Sequence, residues 1–347
     1  MDTSTHILIG FGLAALAQVD PVVSGSETLT QAVIIGSVIG SNAPDFDILY
    51  KLKGSSSYCK NHRSYSHSLP LLPLWALLIL AVLAPFFPNI SYLHLFLWIF
   101  LAVVIHVGSD LFNVHGTQVL LPFSRAWISF DIIPLLDPFI TTIHLAGFFC
   151  LFFFEPGSVF SSIYGLILIY ILIRVLYRTW ITHQLKGHFT HANSVTLIPK
   201  ASILKWDVLI ETEEDFLFGT YFYDSLRIEY VVAKKSEFPD VLKNCPTHPV
   251  VNDFLSSTNY AFPFVEKRKN GYFILWKDLR FRHKKFFPYL AIMFLSSDGL
   301  QIYSTFSGWC YSLKRLRRVM RKIKSSKTAI SKHQSFPFLN IYRKSSK

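Results

Sequence analysis

Six apolar stretches punctuate the first half of the chain, at about 7–19, 29–43, 70–87, 92–111, 139–154 and 159–177. A helix that crosses a bilayer needs about 20 apolar residues. The third, fourth and sixth stretches meet that length and the fifth is slightly short. The first two are clearly short, so they suit a re-entrant hairpin as well as two spans. From residue 191 the hydrophobic period changes from helical to two. Segments 194–199, 203–211, 216–223 and 226–233 read as strands, and 247–256 reads as a helix capped by Thr247. Asn270-Gly271 and Asp298-Gly299 each stand between strand-like runs, at 262–267 and 272–281, and at 289–295 and 300–306. Such dipeptides mark hairpin turns. The pattern predicts an all-α polytopic membrane domain of about six segments, followed by a small β-rich α+β cytoplasmic domain. The expected boundaries are 1–186 for the membrane domain, 190–310 for the β-rich domain and 311–347 for a basic amphipathic tail.

Composition agrees with a membrane class. Hydrophobic residues make up 51% of the 347 and charged residues 16%, against about 25% charged in soluble domains. The charge is also divided. Up to Tyr177 there are 6 Lys+Arg and 9 Asp+Glu; beyond it there are 28 and 13. Loops 43–69 and 113–138 carry Lys51, Lys53, Lys60, Arg63 and Arg125, whereas loops 20–28, 88–91 and 155–158 carry no Lys or Arg. The positive-inside rule then places both termini and the two long loops in the cytoplasm of a multi-pass plasma (inner) membrane protein. The start of the chain has no basic region typical of a cleavable signal peptide. Cys59, Cys150, Cys245 and Cys310 form no C-x-x-C pair, which argues against a thiolate zinc cluster or a disulfide framework.

The orientation gathers polar residues. His6, the Asp45 and Asp47 pair, His62 with His67, and His106 with Asp110 all fall at helix ends on the cytoplasmic side. His106 and Asp110 are four apart and share one helix face. Mixed imidazole and carboxylate ligands suit zinc, manganese or iron, and the set is large enough for one divalent ion or two. Such a centre makes water a nucleophile at neutral pH. Arg63, fixed in charge, would clamp an anionic substrate group, and Asp47 would act as general base or orient a ligand. Two blander readings stand beside this: a proton or ion pathway, and structural hydrogen bonding. A lone buried histidine is most often a satisfied core residue, a reading open to His94 and His144, and His94 falls near the outer face, away from the others. His144, deep in an apolar helix, is costlier there.

These residues carry a family likeness. The opening 1–6, Asn42-Ala43-Pro44-Asp45-Phe46-Asp47, His62-Arg63 with His67-Ser68, His106 with Asp110, Gly116-Thr117-Gln118 and Asp137-Pro138 resemble the YdjM/YfhP-like family. That family comprises predicted membrane-bound metal-dependent hydrolases, described as LexA-binding and inner-membrane-associated. The likeness covers about 1–200 and is sharpest over 1–140. Tyr65-Ser66 is a mild departure, standing where Gly or Phe followed by Thr is usual. The resemblance implies a metal-dependent hydrolase, and YfhP-like members have also been described as regulators of neighbouring genes. It also raises Asp137 as a further ligand or orienting residue, against its plain reading as a helix N-cap before Pro138. Asn113 and His115 flank the same edge and would orient ligands.

The tail adds a partner. Residues 313–347 hold 12 Lys+Arg and no Asp or Glu, and Leu313, Leu316, Met320 and Ile323 recur at helical spacing. A basic amphipathic helix beside a bilayer suits anionic lipid; nucleic acid is the less favoured partner. There is no phosphate-binding glycine loop, so no nucleotide cofactor is expected. The sum is a hydrolase of a phosphoester or lipid-linked substrate at the cytoplasmic membrane face. The rivals are a non-enzymatic membrane regulator with a structural or sensing metal, and a transporter.

Overall fold

The computed structural model describes residues 1–325 and 343–344, apart from 236–237, 244, 270, 283–286 and 299–300. The turn residues Asn270 and Gly299, and most of the tail beyond 325, lie outside the described residues.

The first half is helical. Its helices are α1 (Thr3–Leu16), α2 (Pro21–Ser24), α3 (Glu27–Gly40), α4 (Ser55–Asn61), α5 (Leu71–Leu83), α6 (Tyr92–Leu111), α7 (Pro138–Cys150) and α8 (Pro156–His188). An eleven-residue 3-10 segment at Ala43–Lys53 and a short 3-10 turn at Tyr65–His67 bracket α4. Asp2 caps α1 by accepting from the Ser4 N–H, and Ser26 caps α3 through Leu29 N–H. Among the described residues, α6 and α8 are long and apolar enough to cross a membrane. The number rises to four if two bent pairs, Glu27–Gly40 with Ala43–Lys53 and Ser57–His67 with Leu71–Phe86, each count as one span. Helices α1 and α7 are apolar but shorter. Leu74, Leu78 and Val82 of α5 and Leu168, Ile169 and Leu176 of α8 are exposed outward. An apolar belt of this kind is what hydrocarbon would cover.

Small residues let the helices close on one another. A Cβ at Gly10 of α1 would lie 2.8 Å from the Val38 Cα of α3, and one at Gly40 would lie 3.0 Å from the Ile99 carbonyl oxygen of α6. These approaches seat the end of α3 against the middle of α1 and of α6. Helix α8 runs eleven residues past the apolar stretch that ends at 177. Its polar last turns still bury Ile181 and Leu185 against Trp206, Val208 and Ile210, so packing on a sheet carries the helix on after its lipid-like composition stops.

That sheet is the antiparallel run β1 (Ser194–Pro199), β2 (Lys205–Glu211), β3 (Asp215–Phe222) and β4 (Ser225–Ala233). Helices α9 (Pro239–Lys243) and α10 (Pro249–Leu255) follow. His248, not Thr247, caps α10, its Nδ1 accepting from Val250 N–H. A second antiparallel sheet takes β5 (Ala261–Arg268), β6 (Gly271–Asp278), β7 (Tyr289–Leu295) and β8 (Ile302–Trp309) in order. Helix α11 (Leu313–Ser325) ends the domain, and the short β9 (Arg343–Lys344) pairs with β4. Leu209, Phe218 and Tyr230 of the first sheet share a core with Phe273, Leu275 and Ile292 of the second. Val251 and Phe254 of α10 cover the second sheet's other face over Ile274, Trp276 and Met293. Strands β6 and β7 are thus buried on both faces, which is why they read as continuous apolar runs.

The second sheet rests on the helical half. The Arg280 Nη1 donates to the Val114 carbonyl at 2.9 Å, and Lys60 pairs with Asp253 at 2.8 Å. The His115 ring lies 4.6 Å from Phe281 and 5.2 Å from Trp309, between ring centroids.

One buried cation in this domain makes stability depend on pH. The Lys277 ammonium sits 4.0 Å from the Phe264 ring centroid and 5.4 Å from that of Phe287. Burial pushes its pKa from the ordinary 10.5 down to about 8. Below pH 8 both folded and unfolded chains hold the proton and the desolvation cost is present in full. Between 8 and 10.5 the unfolded chain binds more protons, so stability rises with pH. Cation–π attraction offsets part of the cost. Lys277→Met is expected to add about 2 kcal/mol at neutral pH and to flatten that rise, as read from urea unfolding of both proteins across the window.

Candidate metal centre

The site is built where α1, α6 and the loop between α3 and α5 meet. Helix α6 presents His106 and Asp110 from one face, both fully buried. The 3-10 turn at Tyr65–His67 brings His67 beside them. Its Nε2 lies 3.3 Å from His106 Nε2, 3.4 Å from Asp110 Oδ2 and 3.6 Å from Asp45 Oδ1. The His106 Nε2 is 3.7 Å from Asp45 Oδ1 and 3.8 Å from Asp110 Oδ2. One ligand atom from each of Asp45, His67, His106 and Asp110 falls within 4.8 Å of all the others.

Hydrogen bonds set the tautomers. His106 Nδ1 is 2.7 Å from the Ser41 carbonyl, so that nitrogen carries the proton. The Ser66 hydroxyl donates to Asp47 Oδ2 at 2.8 Å and lies 2.9 Å from His67 Nδ1. It therefore accepts from that nitrogen. Both Nε2 atoms are left as bare lone pairs, facing each other and two carboxylates. The centre holds acceptors with no donor between them. Asp45 Oδ1, Asp110 Oδ2 and both ring nitrogens of His6 are buried without a hydrogen-bond partner. Buried polar atoms are rarely left so. A cation is what such a cluster fits, and the nitrogen–oxygen donor set suits zinc, manganese or iron.

A second group adjoins the first. Asp45, Asp47 and His62 also offer atoms within 4.8 Å of one another, so Asp45 belongs to both. Asp47 is held tightly: His62 Nδ1 lies 2.7 Å from Oδ1, and Oδ2 accepts from Arg63 N–H at 2.8 Å as well as from Ser66. Tyr58 stacks on the His62 ring at 4.6 Å.

His6 packs against the cluster from α1. Its ring stacks on His106 at 3.9 Å and its Nε2 is 3.5 Å from Asp110 Oδ1. The Met1 amine pairs with the same Asp110 oxygen. Arg63 has a positive φ of 63° and is buried. Its guanidinium donates to Asn113 Oδ1 at 3.1 Å and to the Met1 carbonyl at 3.2 Å, and it pairs with Asp110 at 3.1 Å. Asn113 in turn donates to Asp110 Oδ1 at 3.1 Å. Arg63 and Asn113 therefore hold the outer oxygen of Asp110 and leave Oδ2 to the centre.

Three named residues stand elsewhere. Asp137 caps α7 through the N–H groups of Phe139 and Ile140, accepts from Tyr170 at 2.8 Å, and pairs with Arg174 at 3.4 Å. His115 lies under the second sheet. Burial, with Arg63 and Arg280 adding, holds its pKa well below the usual histidine value. His144 is buried within α7, its Nδ1 at 2.7 Å from the Ile140 carbonyl. The Ser41 carbonyl, which sets the His106 tautomer, carries no motif signal, whereas Ser66, which sets that of His67, stands where the family pattern has the hydroxyl of Thr.

A cavity of about 580 Å³ opens beside Asp47 and Ser66. Phe46, Leu49, Leu71 and Trp75 give it apolar walls, and Lys53, Asn61, Tyr50 and Tyr65 add polar groups to those of Asp47 and Ser66.

Residues 1–181 match the family described as YdjM inner membrane protein, and residues 240–320 match the family described as YfhP C-terminal alpha/beta plait domain. The chain is 33% identical over 328 residues to the uncharacterized protein YfhP of Bacillus subtilis (strain 168), covering 92% of this chain and 99% of that one. No solved structure matches the chain.

Proposed function

This chain belongs to the YdjM inner membrane protein family, and on that footing we propose that it is a membrane-bound, metal-dependent hydrolase of lipid-linked phosphoesters. The observation that carries the reading is the cluster of Asp45, His67, His106 and Asp110, whose inward oxygens Asp45 Oδ1 and Asp110 Oδ2 meet no donor and whose neighbours Asp47 and Ser66 line a largely apolar cavity. Those four residues would hold one ion, zinc or manganese, and Asp45 with Asp47 and His62 would hold a second. Divalent ions supply Lewis-acid polarisation of a phosphoryl oxygen and lower the pKa of water.

The chain's own groups do the rest. Ser66 keeps His67 in the ligand tautomer while fixing Asp47. Arg63 offsets the charge of Asp110 and, with Asn113, fixes its rotamer. Lys53 at the cavity wall attracts a phosphate, and the apolar walls take the lipid's hydrocarbon. Exposed Phe46, Leu49 and Leu52 beside Lys51 and Lys53 suit a segment lying in the headgroup layer, where hydrocarbon and cation each meet their own phase.

The topology that fits is multi-pass in the plasma membrane, with six apolar segments, a short first pair and both termini cytoplasmic. The three parts then run 1–186, 190–310 and 311–347. Leu316 and Val319 of α11 pack on the β-rich core, and Lys314, Arg315, Arg317, Arg318 and Arg321 are exposed. That basic face would rest on anionic lipid.

The test is turnover. Wild-type protein in lipid nanodiscs is expected to release phosphate or a phosphorylated headgroup from a panel of phospholipids and polyprenyl phosphates. Chelation should abolish release, and zinc or manganese should restore it. Bound metal with no turnover across the panel would instead favour a regulator built on a structural metal.

A further inference from the structure

A second cavity of about 390 Å³, lined by none of the candidate ligands, is bounded by α1, α6, α7 and α8. It runs along α1 from Met1 through Ile9 and Leu13 to Leu16, a length of roughly 20 Å at the rise of an α-helix. Gly108, Ser109 and Phe112 close one end, and Leu101 lines the other. Its volume falls within the ordinary range of ligand pockets. The lining is mostly hydrocarbon; the Ser109 hydroxyl in it is spent on the His106 carbonyl at 2.8 Å, and one polar group is left unmet. His144 lines this cavity, is fully buried, and has no partner for its Nε2. Its Nδ1 is committed to the Ile140 carbonyl at 2.7 Å and so carries the proton. Nε2 is therefore an acceptor, in surroundings that offer it no donor. The hydroxyl of nearby Tyr164 is spent on the Ile9 carbonyl at 3.0 Å.

We infer that this groove binds a lipid alcohol, one long hydrocarbon chain bearing a free hydroxyl, whose O–H donates to His144 Nε2. The apolar walls take the chain. The orphan acceptor selects the head, because an ester, an ether or an ionised phosphate offers no donor to it. An unmet acceptor in a dry apolar site is costly, which makes the single hydrogen bond discriminating. The inference deepens the lipid reading above: water cleaves a lipid phosphomonoester to phosphate and the lipid alcohol.

The test needs no turnover. Full-length protein, stripped of metal and held in detergent, is titrated with hexadecanol and with its methyl ether, and bound lipid is counted by native mass spectrometry. Hexadecanol should bind at least about tenfold more tightly, the scale of one hydrogen bond in an apolar site. His144→Phe should erase the difference, and His144→Gln, which keeps an acceptor, should restore part of it. A Cβ at Gly108 would meet nothing within 4 Å, so Gly108→Leu should fill the groove and weaken both ligands together. Equal binding of alcohol and ether by the wild type, or an undiminished preference in His144→Phe, overturns the proposal. Because metal is absent throughout, the outcome is separate from whether the centre hydrolyses anything.

Discussion

Purified His106→Ala protein is expected to bind divalent metal at least about 100-fold more weakly than wild type, and Asp110→Asn likewise. Loss of an orienting residue alone commonly costs 10–100-fold, so loss of a direct ligand sets that as a floor. The two residues bring the donor atoms that close the cluster opposite His67 and Asp45. Ser66→Ala should fall inside the 10–100-fold range, because it frees the His67 tautomer and one oxygen of Asp47 without removing a ligand. His94→Ala is the matched control. It sits on the same helix as His106 but at the opposite end, where it meets Ser91 and Asp20. Elemental analysis after gel filtration, with a competing chromogenic chelator, gives the affinities. Wild-type loading in His106→Ala would falsify the assignment of this cluster as the metal site.

The parts of this centre differ in how readable they were. Asp45, His67, His106 and Asp110 could be grouped from the sequence because lysine and arginine placement oriented the helices, and orientation put those four residues on one side. Helix α6 was legible residue for residue, since its apolar run is long enough to have one reading, with polar residues only near its ends. Strand β7 was legible for the same reason, and β1 by its period of two. What was hidden depends on distant packing. Nothing in the local pattern says that Arg63 would face Asn113 and Asp110, fifty and forty-seven residues away. The last three turns of α8 look like the end of a span because their composition turns polar. Only the sheet that buries Ile181 and Leu185 explains why the helix continues. Asp137 could not be separated into ligand or cap by spacing, because a carboxylate at that helix end serves either role. Its neighbours Tyr170 and Arg174 come from another helix.

That neighbourhood carries the largest expected loss of stability. The Arg174 side chain is fully buried and spends every nitrogen: Nε on the Ile132 carbonyl at 2.7 Å, Nη1 on the Tyr170 hydroxyl at 2.7 Å and on Asp137, and Nη2 on the Lys200 carbonyl at 3.2 Å. It also lies 5.0 Å from the Trp206 ring. One guanidinium therefore joins α8, the start of α7, the loop before it and the first sheet. Arg174→Met removes the cation and leaves the Asp137 carboxylate buried without it. Breaking a buried pair in this way costs about 3–5 kcal/mol. Arg174→Lys should recover little, because one ammonium cannot serve acceptors set out in the plane of a guanidinium. Asp137→Asn in the Arg174→Met background should recover part of the loss, since the amide oxygen can still cap α7 while the stranded charge is gone. Denaturant unfolding of the full chain in detergent reads all three. Because these residues touch no ligand of the cluster among the described residues, metal affinity in the folded fraction should hold while the midpoint falls. A fall in metal affinity alongside stability would mean instead that α7 and its cap help to shape the centre.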